Sequence, residues 1–105
     1  MIKFTRDEIN KVFSFVNQFS GLLNDDDDYG EITLEEIQDF EADVELLKPL
    51  IGYQVKVEQC GVHYHDDQIV EYGFFFKNPV GEITEIWTEM YLIAGWNHNE
   101  DAIIQ

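Results

Sequence analysis

A chain of 105 residues that is 45% apolar, with eight Phe, five Tyr and two Trp, can build one modest core and is too apolar to stay disordered. Its formal charge of −16, from 22 Asp and Glu against 6 Lys and Arg, argues against direct binding to DNA, RNA or an anionic membrane, because counterion release from a polyanion needs cationic side chains. No apolar run approaches the roughly 20 residues of a membrane span, Met1–Phe4 has no signal-peptide character, and the lone Cys60 makes no internal disulfide; the expectation is a soluble, single-domain cytoplasmic protein.

Phe4 to Leu23 reads as the first helix. Thr5 and Glu8 have capping-box spacing, in which hydroxyl and carboxylate each satisfy an N–H of the first turn, and Phe4 and Ile9 stand where a hydrophobic staple places them. Ile9, Val12, Phe13, Val16, Phe19 and Leu23 recur at intervals of three and four as one apolar stripe, with Ser20-Gly21 expected to fray the last turn. Asn24 to Gly30 reads as a loop, since successive aspartates repel one another and Gly30 tolerates a positive φ.

A second helix is predicted from Thr33 to Lys48. Thr33 and Glu36 repeat the capping box, Ile37, Phe40, Val44 and Leu47 form the stripe, and Pro49 stops it. Two helices so joined pack as an αα-hairpin. The stretch from Asp25 to Glu45 holds half of the chain's 22 acids, and no Lys or Arg lies between Lys11 and Lys48. Solvated helices ordinarily mix Lys with Glu at i, i+4, so a face this one-sided points to a cationic partner. On one rigid helix Glu35, Asp39 and Asp43 would form a row with about 6 Å of rise between neighbours. Glu36 flanks that row, and Glu31 with Asp25, Asp26, Asp27 and Asp28 extends it past the N-terminus. In charge and pitch it is similar to a strand of phosphates.

From Ile51 the apolar period becomes two. Tyr53, Val55 and Val57 share one face, and the parity switches after Cys60-Gly61 to Val62 and Tyr64, as a β-bulge produces. Asp66-Asp67 marks a turn, Ile69 to Lys77 a second strand and Asn78 to Gly81 a tight turn. Glu82 to Ile93 is expected to return as a third strand, although Ile83, Ile86, Trp87, Met90 and Ala94 also suit a helix. The tail from Gly95 is polar apart from Trp96, Ile103 and Ile104, and is expected to be mobile or docked by them. The architecture that follows is α+β, with two N-terminal helices (4–48) on a three-stranded antiparallel β-meander (51–93).

Asp25 to Glu36 resembles an EF-hand calcium loop. With Gly30 sixth, Asp25 stands first, Asp27 third, Ile32 eighth and Glu36 twelfth. The resemblance implies Asp25, Asp27 and Glu36 as side-chain ligands and the Glu31 carbonyl as another. Tyr29 departs from the pattern at the fifth position, and no second such loop exists. His63 and His65 share a strand face near Cys60 and read as exposed polar residues more readily than as a zinc pair, which would need a third ligand. No phosphate loop, serine elbow or Cys–His pair is present, so neither enzymatic activity nor a cofactor is expected. Tyr72, Phe74, Phe75, Phe76, Trp87 and Tyr91 read as core aromatics. Phe75, on the opposite parity from Phe74 and Phe76, and Trp96 are the candidate interface anchors.

A small, strongly acidic chain with an ordered carboxylate row resembles, at the level of class, the inhibitors that phages and mobile elements direct against host nucleases. These include anti-CRISPR proteins, anti-restriction proteins and uracil-DNA glycosylase inhibitors. The resemblance implies a DNA mimic that occludes the basic channel of a host nuclease in the bacterial cytoplasm. It carries over no residue, since none of their motifs is present. The expected partner surface is Asp25–Asp28, Glu31, Glu35, Glu36, Asp39 and Asp43, with Phe75 and Trp96.

Overall fold

The structure, a computed structural model, describes residues 1–21, 28–62 and 69–105. Thr5 starts its one long helix, α1 (Arg6–Ser20). The Thr5 hydroxyl accepts from Glu8 N–H (3.2 Å) and the Glu8 carboxylate accepts from Thr5 N–H (2.9 Å). Ile9, Val12, Phe13, Val16 and Phe19 are buried along the predicted stripe, and Phe15 joins them by stacking on Phe19 (5.9 Å). The predicted start at Phe4 is corrected. Phe4 ends a strand, β1 (Ile2–Phe4), and the predicted end at Leu23 lies outside the described residues.

The second helix is also corrected. The segment predicted as one rod from Thr33 to Lys48 is α2 (Leu34–Asp39), then α3 (Val44–Leu47), then a 3₁₀ turn (Lys48–Leu50). The break is a Schellman cap. Glu41 takes φ 53°, Glu41 N–H donates to Gln38 C=O (3.0 Å) and Ala42 N–H to Ile37 C=O (3.0 Å), so the chain reverses where an apolar stripe alone predicts continuation. Asp43 then caps α3, its carboxylate accepting from Leu46 N–H (3.1 Å). Phe40 still packs on α1, edge-on to Phe15 at 5.9 Å. The left-handed position is ordinarily glycine's, because an L side chain crowds its own carbonyl there. Glu41→Gly is therefore expected to stabilise the fold by about 0.5–1 kcal/mol, read as a higher urea midpoint at unchanged slope.

The remaining elements are strands: β2 (Gly30–Glu31), β3 (Gln54–Val62), β4 (Ile69–Lys77), β5 (Ile83–Tyr91), β6 (Gly95–Trp96) and β7 (Ala102–Ile104). The order β2-β3-β4-β5-β6 makes a five-stranded antiparallel sheet, and β1 with β7 makes a two-stranded one. The α+β expectation of two helices on a three-stranded meander is thus overturned: the fold is mostly β, with one α-helix of 15 residues and two short ones among the described residues. β3–β4–β5 is the meander at its centre, and its register shifts between Gln59 and Gly61, where the apolar parity changes in the sequence. The tail docks through β7, with Ala102 and Ile104 buried against the core. No helix among the described residues is long and apolar enough to cross a membrane.

The core lies between α1 and the inner face of the sheet, with Phe13 stacked on Phe74 at 4.4 Å. Tyr53 sits at its margin and donates its O–H to Gln105 C=O (2.7 Å). Burial, and secondarily the charge of Glu82, pushes its phenol above the ordinary value of 10.0. The folded state therefore favours neutral phenol. Its contribution is whole below the unfolded pKa near 10 and is lost as pH rises through the higher folded value. Tyr53→Phe is expected to cost about 1 kcal/mol at neutral pH and to flatten the loss of stability above about pH 10, measured by denaturant midpoints across that range.

Candidate functional site

The carboxylates expected along one helix are divided, with Glu35, Glu36 and Asp39 in α2 and Asp43 as the cap of α3. Asp28, Glu31, Glu35, Asp39 and Asp43 are exposed, and Glu36 is half-buried with its N–H donated to the Thr33 hydroxyl (3.2 Å). Asp25, Asp26 and Asp27 lie outside the described residues. The row Glu35–Asp39–Asp43 is not a straight line of helical pitch, because α2 ends at Asp39 and Asp43 begins α3. Its strict likeness to a strand of phosphates is corrected accordingly. What the fold preserves is their exposure, which Glu41 and Glu45 share in the same segment. Beyond it, Asp43 and Glu45 line a hollow with Glu8 and Lys11 of α1.

The metal reading has only part of its ligand set in view. Of the residues that the EF-hand resemblance implies, Glu31 lies in β2, paired with Gln54, and Glu36 in the first turn of α2, while Asp25 and Asp27 are outside the described residues. His63 and His65 are outside them as well, and Cys60 is an exposed free thiol beside the bulge. No group of three or more His, Cys, Asp or Glu among the described residues is placed to hold a metal ion. His98 is engaged in packing, edge-on to Phe13 at 5.5 Å with Nδ1 3.2 Å from Thr88 Oγ1.

A second surface comes from strand alternation. Opposite the face that covers α1, adjacent strands place Lys56, Phe75 and Glu85 in one row and Glu58, Gly73 and Trp87 in the next. Lys56 Nζ lies 5.0 Å from the Phe75 ring and 5.4 Å from that of Tyr29, and Lys77 Nζ lies 5.4 Å from Tyr29. Phe75 meets Trp87 edge-on at 6.2 Å, and the Trp87 indole N–H donates to Glu85 (2.6 Å). Two of the chain's six cations thus stand among aromatic rings on this face, and Tyr29 joins it to the start of the acidic segment.

The indole of Trp87 lies flat over Gly73, where an added Cβ would come within 2.7 Å of the ring. Gly73→Ala is expected to swing Trp87 off the sheet at a cost of about 1 kcal/mol, as the ring loses its platform but is not buried elsewhere. Fluorescence would report it as a red shift and easier quenching of one of the two tryptophans.

Of the two anchors read from the sequence, Phe75 is on this outer face and Trp96 is not. Trp96, in β6, packs inward on Tyr72 (5.1 Å), Phe74 (5.2 Å) and Phe13 (5.9 Å), so its candidacy as an exposed anchor is corrected. The residue missed is Trp87, 39% exposed, which the sequence reading had placed in the core. The signal was its parity: Trp87 alternates in step with Glu85 and Glu89, whereas Ile86 and Met90 alternate with the inward threonines. Comparison with family models, with curated proteins and with solved structures finds no match to this chain.

Proposed function

We propose that this protein is a non-enzymatic, stoichiometric inhibitor that occupies the basic nucleic-acid channel of a nuclease, in the manner of anti-CRISPR and anti-restriction DNA mimics acting in the bacterial cytoplasm. The observation that carries the reading is the largely exposed carboxylate segment from Asp28 to Glu45, whose sequence contains no Lys or Arg, in a chain of net charge −16. Repulsion within such a segment lowers stability, and a partner rich in Arg and Lys relieves it on binding. Long-range attraction speeds encounter at low salt and weakens once the Debye length falls to about 8 Å near physiological ionic strength. Phe75 and Trp87 supply apolar contact, which governs how slowly the complex dissociates.

The test is capture from a bacterial lysate on the immobilised protein, elution by a salt gradient, and assay of each recovered protein for DNA or RNA binding with and without one equivalent of inhibitor. Recovery of a nuclease whose nucleic-acid binding is lost at a one-to-one ratio is the expected result. A captured partner that holds this protein and its nucleic acid simultaneously overturns occlusion, as does recovery of proteins that all lack a basic channel.

A further inference from the structure

The strand order leaves β5 half-paired. Its β6 side is used only at Met90 and Tyr91, which face Trp96 and Gly95, while Asn97 N–H reaches Glu89 C=O at 3.2 Å. That last bond sets which backbone groups point away from β4. In an antiparallel strand each residue turns its N–H and C=O to the same side and the next residue turns them to the other. Ile83, Glu85 and Trp87 therefore present their amides and carbonyls outward, and among the described residues none of the three has a strand partner there. The C-terminal segment passes beneath through inward side chains, Gln105 N–H donating to Thr84 Oγ1 (2.9 Å) and His98 meeting Thr88, and leaves those groups open.

We infer that this open edge of β5 receives an extended, basic segment of the partner as an added antiparallel strand. The inference rests on the reading that the partner is cationic. The same three residues turn their side chains to the outer face, with Ile83 53% and Trp87 39% exposed on either side of Glu85. Glu89 shares their parity and extends the line of acid at one end. A strand laid alongside places its own alternate residues opposite these, so Lys or Arg opposite Glu85 gains a direct cross-strand ion pair, and a cation beside Trp87 gains an aromatic face. A second copy of the chain is the wrong occupant. Two copies would bring a net charge of −16 against −16, with Glu85 and Glu89 along both edges, and that repulsion opposes pairing in every register. The edge therefore rejects itself and selects for positive charge, while main-chain hydrogen bonds supply affinity that does not depend on the partner's exact sequence.

The probe is a capped peptide of alternating Lys and Val, about eight residues long to span the open edge, titrated against the full chain at low salt by fluorescence anisotropy. Strand addition predicts saturable binding. It also predicts that N-methylating alternate amides in the register that faces β5 weakens binding at least tenfold, whereas N-methylating the intervening ones does not. On the protein, Glu85→Pro removes an N–H that points outward, a position an edge strand tolerates, and is expected to abolish peptide binding with the melting temperature nearly kept. Equal binding of both N-methylated peptides, or no binding of the parent, overturns the inference whether or not the proline variant folds. The two readings fail separately: if Glu85→Pro still blocks a captured nuclease, occlusion stands and strand addition does not, and if the parent chain binds the peptide as predicted but blocks no captured nuclease, occlusion falls and the edge site stands.

Discussion

Phe13→Ala is expected to remove about 3–5 kcal/mol of stability, the loss typical of truncating a fully buried Phe. Against a total of about 5–15 kcal/mol for a domain, that loss is enough to unfold a chain at the low end of the range. Phe13 is 0% exposed and is where the helix and the sheet meet. It stacks on Phe74 at 4.4 Å, with Trp96 at 5.9 Å and the edge of His98 at 5.5 Å. Emptying its site strips contacts from α1, β4, β6 and the tail together, and a cavity bounded by three separate elements collapses poorly. Phe75→Ala is the control. Its ring is also large and aromatic but lies half-buried on the outer face, so its loss should cost about 1 kcal/mol, in line with an aromatic pair contact. Urea denaturation of both variants, followed by Trp96 fluorescence, checks the contrast. Equal costs would mean that the outer face is as much core as the inner.

That contrast shows what patterning reveals and what it hides. The cap at Thr5 and Glu8, the stripe of α1 and the bulge beside Cys60 are local, each written in residues a few positions apart, and the structure contains all three. The fold class failed on features that are not local. Nothing about the spacing of Ile37, Phe40, Val44 and Leu47 reveals that Glu41 turns left-handed, because glutamate is a good helix former and the same residues pack on α1 from either side of a break. β2 and β6 have two residues each, too short to carry a period, and exist because β3 and β5 offer them edges. β1 was absorbed into the helix because Phe4 also suits a staple, and only its pairing with Ala102, across nearly the whole chain, decides the matter. At the candidate site the acids were legible as composition, but their arrangement depended on the break at Glu41. Trp87 was misplaced for the opposite reason, since aromatic content outweighed an alternation that was present.

Replacing Glu35 by Gln, Asp39 by Lys and Asp43 by Ser in one chain is expected to weaken capture of a basic partner about a thousandfold at low salt, taking about 1 kcal/mol for each unit of charge changed, one at Glu35, two at Asp39 and one at Asp43. Its stability should stay level or rise. The opposed signs make the experiment decisive, and the choice of side chain at each position keeps them opposed. Asp43 accepts from Leu46 N–H as the cap of α3, and a lysine there would cost about 1 kcal/mol for reasons unrelated to a partner. Serine preserves the cap and removes the charge. Asp39 ends α2, whose last turn has no basic residue, so a lysine there meets the negative end of the helix and should contribute about 0.3–1 kcal/mol. Glu35 is in the first turn of α2, where its charge is favourable, so glutamine is chosen over lysine to keep the loss to a few tenths of a kcal/mol. Added NaCl should narrow the gap in affinity between the two chains, because the charges removed are those that salt screens in the parent. Thermal melts and binding isotherms across a salt series provide both readouts. A variant that is as stable as the parent and binds the partner equally well at every salt concentration would show that these carboxylates are only solvated surface, and would leave occlusion without its electrostatic basis.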